Sequence, residues 1–196
     1  MPPAKKFQRE DIIRTAYELV KSEGMGEMNA RRIAKELGCS TQPIYHNFDT
    51  MEELREKVIE RIYEKYVSYM KQGAKEEKPY LGMGMSYILF ARDYPNFFEV
   101  LFRSESGMSP VEFIQSDDVG SSVLKEGQIF SGITAAQEKE FQIKVWVFTH
   151  GLATLAAMNT VKMSEEEIRE MLASATRELL VGFKWMRKQE EQGCEM

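Results

Sequence analysis

The residues best equipped for chemistry lie between Cys39 and Phe48, in the stretch CSTQPIYHNF. After Ser40 and Thr41, the side chains of Gln42, Tyr45, His46 and Asn47 crowd together where a core helix would carry aliphatics. Hydroxyl, amide and imidazole groups of this kind suit hydrogen bonds to phosphates and base edges. Catalysis finds little support elsewhere in the chain: GxSxG, P-loop, HExxH and Gly-rich dinucleotide patterns are all missing. His46 and His150 fall in different parts of the sequence, and no Cys or Ser stands at a telling spacing from His150. Cys39 and Cys194 lie outside any CxxC or Cys/His array and read as two free thiols. The expectation is a protein that is not an enzyme and that needs no metal and no cofactor.

A chain of 196 residues that is 43% hydrophobic has enough material for one or two compact domains with a core. The longest apolar run, residues 145–158, is interrupted by Thr149, His150 and Thr154 and is too short to span a bilayer. The N-terminal segment MPPAKKFQRED lacks the apolar stretch and cleavage site of a signal peptide, so no membrane and a cytoplasmic location are expected. The net charge of −5 would disfavour a nucleic-acid partner if it were evenly spread. Residues 1–50 instead hold eight Lys and Arg against seven Asp and Glu, which leaves −6 on the remainder. A DNA-facing end on an acidic body is compatible with that division.

Those polar groups need elements to hold them, and the apolar spacing is helical almost throughout. Ile13, Ala16, Tyr17 and Val20 give a first helix that Gly24 or Gly26 stops. Asn29 is placed to cap a second helix, Ala30 to Leu37, with Ile33, Ala34 and Leu37 inward and Gly38 ending it. Gly38-Cys39-Ser40 then makes a turn of helix-turn-helix length, with Ser40 expected to cap the next helix and Pro43 in its first turn. Ile44 and Phe48 face the core. A fourth helix from Met51 to Gln72 carries Leu54, Val58, Ile62, Tyr66 and Tyr69 on one stripe, and the polar break at residues 72–79 marks a boundary. Helices are also expected over Tyr80–Tyr94 and Pro95–Phe102, in a short piece near Ser121–Phe130, over residues 135–159, and after a capped start at Ser164. The fold class is all-α, about nine helices.

From about Arg9 to Val58 the chain resembles the DNA-binding domain of the TetR family of bacterial transcriptional regulators. The likeness rests on REDIIRTAYELVKSEG, NARRIAKELGCS, PIYHNF and TMEEL, four pieces in the family's order and spacing. It implies a helix-turn-helix domain over residues 1–50, extended by the linking helix 51–72, and an effector-binding and dimerisation domain over 73–196. It also implies that Thr41, Gln42, Tyr45 and His46 belong to the recognition helix, with Tyr45 contacting phosphate and Arg31 and Arg32 contacting the backbone. Lys5, Lys6, Asn29, Ser40 and Asn47 complete the expected DNA contacts. Asn47, Met51 and Asn29 depart from the family's usual His, Lys and Thr; Met51 and the modest basic balance keep open a TetR-fold protein that acts through a protein partner with DNA binding weakened or lost.

Two heptad-like seams follow in the C-terminal half: Phe141, Val145, Phe148, Leu152 and Leu155, then Ile168, Leu172, Ala175, Leu179, Gly182 and Met186. A seam alone does not separate self-packing from partner packing, but the resemblance implies a homodimer built on these helices. Residues 135–159 are apolar on nearly every side, as if one face were covered from outside the domain. A dimer would place two recognition helices on the half-sites of a pseudo-palindromic operator. An effector cavity is expected from Met83, Tyr87, Phe90, Tyr94, Phe97, Phe98, Phe102, Met108, Phe113, Trp146 and His150, suited to a small, largely apolar molecule with one polar end.

Overall fold

The protein's computed structural model describes residues 7–102, 135–160 and 162–193, with residue 135 and residues 186–193 described by backbone alone. Regular structure among them is helical: α1 (Arg9–Glu23), a 3-10 turn (Met25–Glu27), α2 (Ala30–Leu37), α3 (Gln42–Asn47), α4 (Met51–Gly73), α5 (Pro79–Asp93), α6 (Pro95–Phe102), α7 (Ala135–Ala157) and α8 (Glu165–Gly193). The all-α expectation holds, with eight α-helices among the described residues. The short helix expected near 121–130 lies outside them, as do Lys5, Lys6, Met108, Phe113 and Cys194. Backbone contacts divide the chain into one unit of Met1–Tyr66 with Tyr94–Ser106 and another of Val67–Asp93 with Gly107–Met196. The divisions fall within α4 and at the joint between α5 and α6, whereas the polar composition of residues 72–79 suggests a boundary there. Composition registers solvated chain; the contacts register α6 packing on α1.

In the first unit Ile12, Ala16 and Val20 of α1, Ile33 of α2, Ile44 of α3, and Leu54, Val58 and Ile62 of α4 are fully buried. Their 3–4 residue spacing is what brings four helices to one core. Gly24 ends α1 at φ +90, a conformation that a Cβ would disfavour. Gly38, at φ +66, ends α2: its N–H reaches Lys35 O at 3.1 Å and the Cys39 N–H reaches Ala34 O at 3.0 Å, the two bonds of a Schellman ending. α6 joins this unit through Phe97, whose ring lies 4.8 Å from Tyr17 and 5.5 Å from Tyr94, and through Asn96 Nδ2, which donates to Lys21 O at 2.9 Å.

The second unit packs α5, α7 and α8 together. Met83, Met85, Tyr87, Ile88 and Phe90 of α5 are buried, as are Phe141, Val145, Leu152 and Ala153 of α7 and Ile168, Leu172 and Phe183 of α8. α7 stops at Asn159, which adopts φ 50 while its N–H reaches Ala156 O and the Thr160 N–H reaches Leu155 O. α8 starts with a reciprocal cap. The Glu167 N–H donates to Ser164 Oγ at 3.2 Å, and Glu167 Oε2 accepts the Ser164 N–H at 2.8 Å, which holds its carboxyl below the usual pKa.

Candidate nucleic-acid interface

The polar stretch forms α3, with Gln42, Tyr45 and His46 at i, i+3 and i+4 on one exposed face. Tyr45 is 57% exposed, while Ile44 and Phe48 on the opposite side are buried. The helix begins at Thr41, not Ser40: the Thr41 carbonyl accepts the N–H groups of Ile44 and Tyr45, and no side chain caps the start. Pro43 occupies the first turn, where its missing donor costs little, and it leaves Ser40 without the cap geometry that its type suggests. Asn47 turns inward, its Nδ2 donating to Pro43 O at 2.7 Å. Of the expected contacts on this segment, Ser40, Gln42, Tyr45 and His46 are exposed, Thr41 is partly exposed, and Asn47 is engaged within the helix.

Beside α3, the helix α2 sorts its cations. Asn29 caps α2 as expected, its Oδ1 accepting the Arg32 N–H at 3.0 Å, while its Nδ2 donates to Glu27 O. Arg32 is neutralised: its guanidinium hydrogen-bonds the Glu23 carboxylate, which raises its pKa, and pairs with Glu36 at 3.1 Å. Arg31 is exposed and, among the described residues, without an ion pair; so is Lys35 one turn later. Arg31 and Lys35 therefore form the available cationic pair, where the sequence suggests Arg31 and Arg32. An i, i+4 spacing could have flagged Lys35; nothing local to Arg32 announces that Glu23 takes it.

The orientation of α3 depends on a residue without any local signal. Arg9, at the start of α1, donates from Nη1 to Asn47 O at 2.6 Å and from Nη2 to Glu53 Oε1 at 2.7 Å, and lies 4.1 Å over the Phe48 ring. Glu53 Oε2 accepts the Asp49 N–H at 2.9 Å. One guanidinium thus joins the beginnings of α1 and α4 to the end of α3. The bond to Arg9 and the Asp49 N–H hold the Glu53 carboxyl below its ordinary pKa. The partners lie 38 and 44 residues from Arg9, so sequence spacing is silent about them.

The residues expected to line an effector cavity are shared between the two units. Tyr94, Phe97, Phe98 and Phe102 fall in the first unit with α1 and α4, where Tyr66 and Phe102 meet edge to face at 5.6 Å. Met83, Tyr87, Phe90, Trp146 and His150 fall in the second, on the adjacent helices α5 and α7. There Tyr87 Oη and His150 Nδ1 are hydrogen-bonded at 2.9 Å, and the Trp146 ring stacks on His150 at 4.7 Å. Burial raises the Tyr87 pKa, opposed by the nearby indole N–H, and burial lowers that of His150. Trp146 Nε1 is itself buried and lacks an aligned acceptor among the described residues.

The seams also divide. Phe141, Val145, Leu152, Ile168 and Leu172 are buried within their own unit, Leu179 packs on Phe141, Val145 and Phe183, and Phe148 and Ala175 are half-buried. Leu155 is exposed; the Met186 side chain lies outside the described residues. The outward apolar face is formed by Val147 and Leu155 on α7, Met158 just after it, and Met171, Val181 and Trp185 on α8. Gly151 and Gly182 lie open within it, each with free space where a Cβ would stand.

Residues 12–58 match the family model of bacterial regulatory proteins, tetR family. A protein of Mycobacterium tuberculosis named as an uncharacterized HTH-type transcriptional regulator is 21% identical over 153 residues, covering 76% of this chain and 70% of that one. The fold is similar to that of a TetR-like transcriptional regulator from Rhodococcus sp. RHA1, with a TM-score of 0.65 and 15% identity over 91% of this chain and 98% of that one. It is also similar to a TetR-family transcriptional regulator from Haemophilus influenzae, with a TM-score of 0.58 and 16% identity over 86% and 93% of the two chains. All three are named as transcriptional regulators, and the TetR resemblance stands.

Proposed function

We infer that this chain, which has the TetR-family regulator fold and the family's N-terminal domain, is a cytoplasmic homodimer that binds a pseudo-palindromic DNA operator and represses transcription until a small, largely apolar effector releases it. The observation that carries the reading is the exposed polar face of α3. Gln42, Tyr45 and His46 supply uncharged hydrogen-bonding groups there, and α2 of the same unit supplies the exposed charges of Arg31 and Lys35. Phosphate contacts set affinity and register, while amide and imidazole groups discriminate base edges. Gln42 has the donor and acceptor pair that adenine presents in reverse.

One such face reads too few base pairs for useful selectivity, which is the reason for a dimer with half-sites about 34–36 Å apart. The outward apolar residues of α7 and α8 supply a surface for it. Release follows if the effector binds better to dimers whose recognition helices are mis-spaced, and the shift is limited by that difference in affinity.

Purified full-length protein titrated with DNA from its own gene neighbourhood, against salt and random competitor, tests the reading. A saturable, competitor-resistant complex is expected, with log affinity falling linearly with log salt. Folded, ligand-free protein that binds no DNA fragment of its genome better than random DNA would replace this reading with that of a TetR-fold protein acting through a protein partner.

A further inference from the structure

Outside its core, the second unit contains a cleft of about 410 Å³ at the connection between α7 and α8. That size lies within the range of small-molecule sites. Arg92 from the last turn of α5, Asn159 and Lys162 from the connection, and Ser164 at the start of α8 give the cleft a polar side. Ala156, Met163 and Ile168 give it an apolar one, and Ile168 is buried. None of these residues belongs to the aromatic set expected to line an effector cavity.

The charge of the lining is one-sided. On a chain with a formal charge of −5, two cations line this cleft and no Asp or Glu does. The carboxylates that hold Arg92 stand outside the lining: Asp93 Oδ1 accepts from its Nε at 2.9 Å, and Glu165 Oε1 accepts from its Nη2 at 3.0 Å. These two bonds fix the guanidinium and leave Nη1 without a hydrogen bond among the described residues. Lys162 is exposed and, among the described residues, has no ion pair. Because Asp93 and Glu165 offset the charge of Arg92, the free positive charge of the cleft is chiefly that of Lys162.

We propose that this cleft binds a small organic carboxylate, its head group held by Lys162 and by Nη1 of Arg92, and its apolar body lying against Ala156, Met163 and Ile168. The chemistry of the lining selects that class. A carboxylate accepts hydrogen bonds through both oxygens, and bonds from Lys and Arg to an ionised acceptor are stronger than neutral ones. An amine would bring a third positive charge. A wholly apolar molecule would cover the ammonium and the guanidinium without replacing the water they lose, which is unfavourable. A bare ion such as acetate would leave the apolar side unfilled. The site uses no residue assigned to DNA contact, so the inference is independent of the regulator reading.

The test titrates full-length 15N-labelled protein with benzoate, benzamide and acetate at constant ionic strength and follows the backbone amide resonances of residues 159 and 162–164. Benzoate is expected to move them saturably at millimolar concentration. It should bind about fivefold more tightly than benzamide, which lacks the charge, and than acetate, which lacks the body. Lys162→Gln, at an exposed position, is expected to weaken benzoate binding about fivefold and to leave benzamide binding unchanged. Arg92→Gln carries the same expectation as a second variant, and circular dichroism checks the helix content of both. Lys144→Gln removes an equal charge from a lysine of the same unit that is paired with Glu140, and it is expected to leave benzoate binding unaltered. Equal losses in the Lys144 and Lys162 variants would assign the effect to net charge and overturn the proposal. Shifts that do not saturate overturn it too, as does benzoate binding no tighter than benzamide or acetate, or undiminished by Lys162→Gln. Operator binding enters none of these readouts, so failure of this site and failure of the regulator reading are separate results.

Discussion

At the scale of single residues, charge type says less than charge neutralisation. Arg31, Arg32 and Lys35 share one helix, yet Glu23 and Glu36 take Arg32 and leave the other two to solvent. We expect Arg31→Ala with Lys35→Ala to weaken binding to operator and random DNA alike and to reduce the salt slope by about 2, while Arg32→Ala mainly lowers stability. An unchanged slope in the double variant would remove α2 from the interface. Arg9 acts differently, because it touches the carbonyl that ends α3 and the carboxylate that opens α4. Arg9→Met should cost about 1 kcal/mol of stability, discounted for its 41% exposed side chain, and should reduce the ratio of operator to random binding. Arg9→Lys should not restore that ratio, since an ammonium lacks the fork that spans both acceptors; a full rescue would show that charge alone suffices. Because the folded pKa of Glu53 is depressed, its stabilising contribution is complete above the unfolded value of about 4.3 and disappears as pH falls through the folded value. Glu53→Gln should therefore flatten the acid-side loss of stability in a pH series of thermal melts.

At the scale of elements, helix ends were legible because their chemistry is local. Asn29 caps α2, Gly38 ends it, and the Ser164 and Glu167 pair opens α8, all within a few residues of chain. Asn29→Ala should cost about 1 kcal/mol in chemical unfolding, the usual worth of such a cap. A cost near zero would mean that the chain's approach to α2, and not the side chain, sets its start. Ser40 misleads for an instructive reason: its type favours a cap, but α3 begins one residue later, at Thr41, through backbone bonds alone. The six-residue α3 has too few intrahelical bonds to stand by itself and takes its place from Ile44, Phe48 and the Arg9 clamp.

At the scale of the whole molecule, the question is which apolar faces remain for a second copy. Phe141, Val145, Leu152, Ile168 and Leu172 repeat at the spacing of an intermolecular seam but fill their own unit, whereas Val147, Met158, Val181 and Trp185 stand outward. Val181→Glu should raise the dimer dissociation constant at least about tenfold in sedimentation equilibrium, because a two-fold interface sets the new charge close to its symmetry mate. The helix content should not change. Dimers of undiminished affinity would place self-association elsewhere.

The residue order by itself determined the helices, most of their ends, the helix-turn-helix arrangement and the inward set of Ile33, Ile44, Leu54, Val58 and Ile62, since these follow from interactions across one to four residues. Only the tertiary structure decided that Glu23 neutralises Arg32, that Arg9 holds α3, that Tyr94, Phe98 and Phe102 belong to one unit and Tyr87 and Trp146 to the other, and which side of α7 and α8 faces out. Each of those depends on groups far apart in sequence, and helical periodicity records that a face is apolar without recording what covers it.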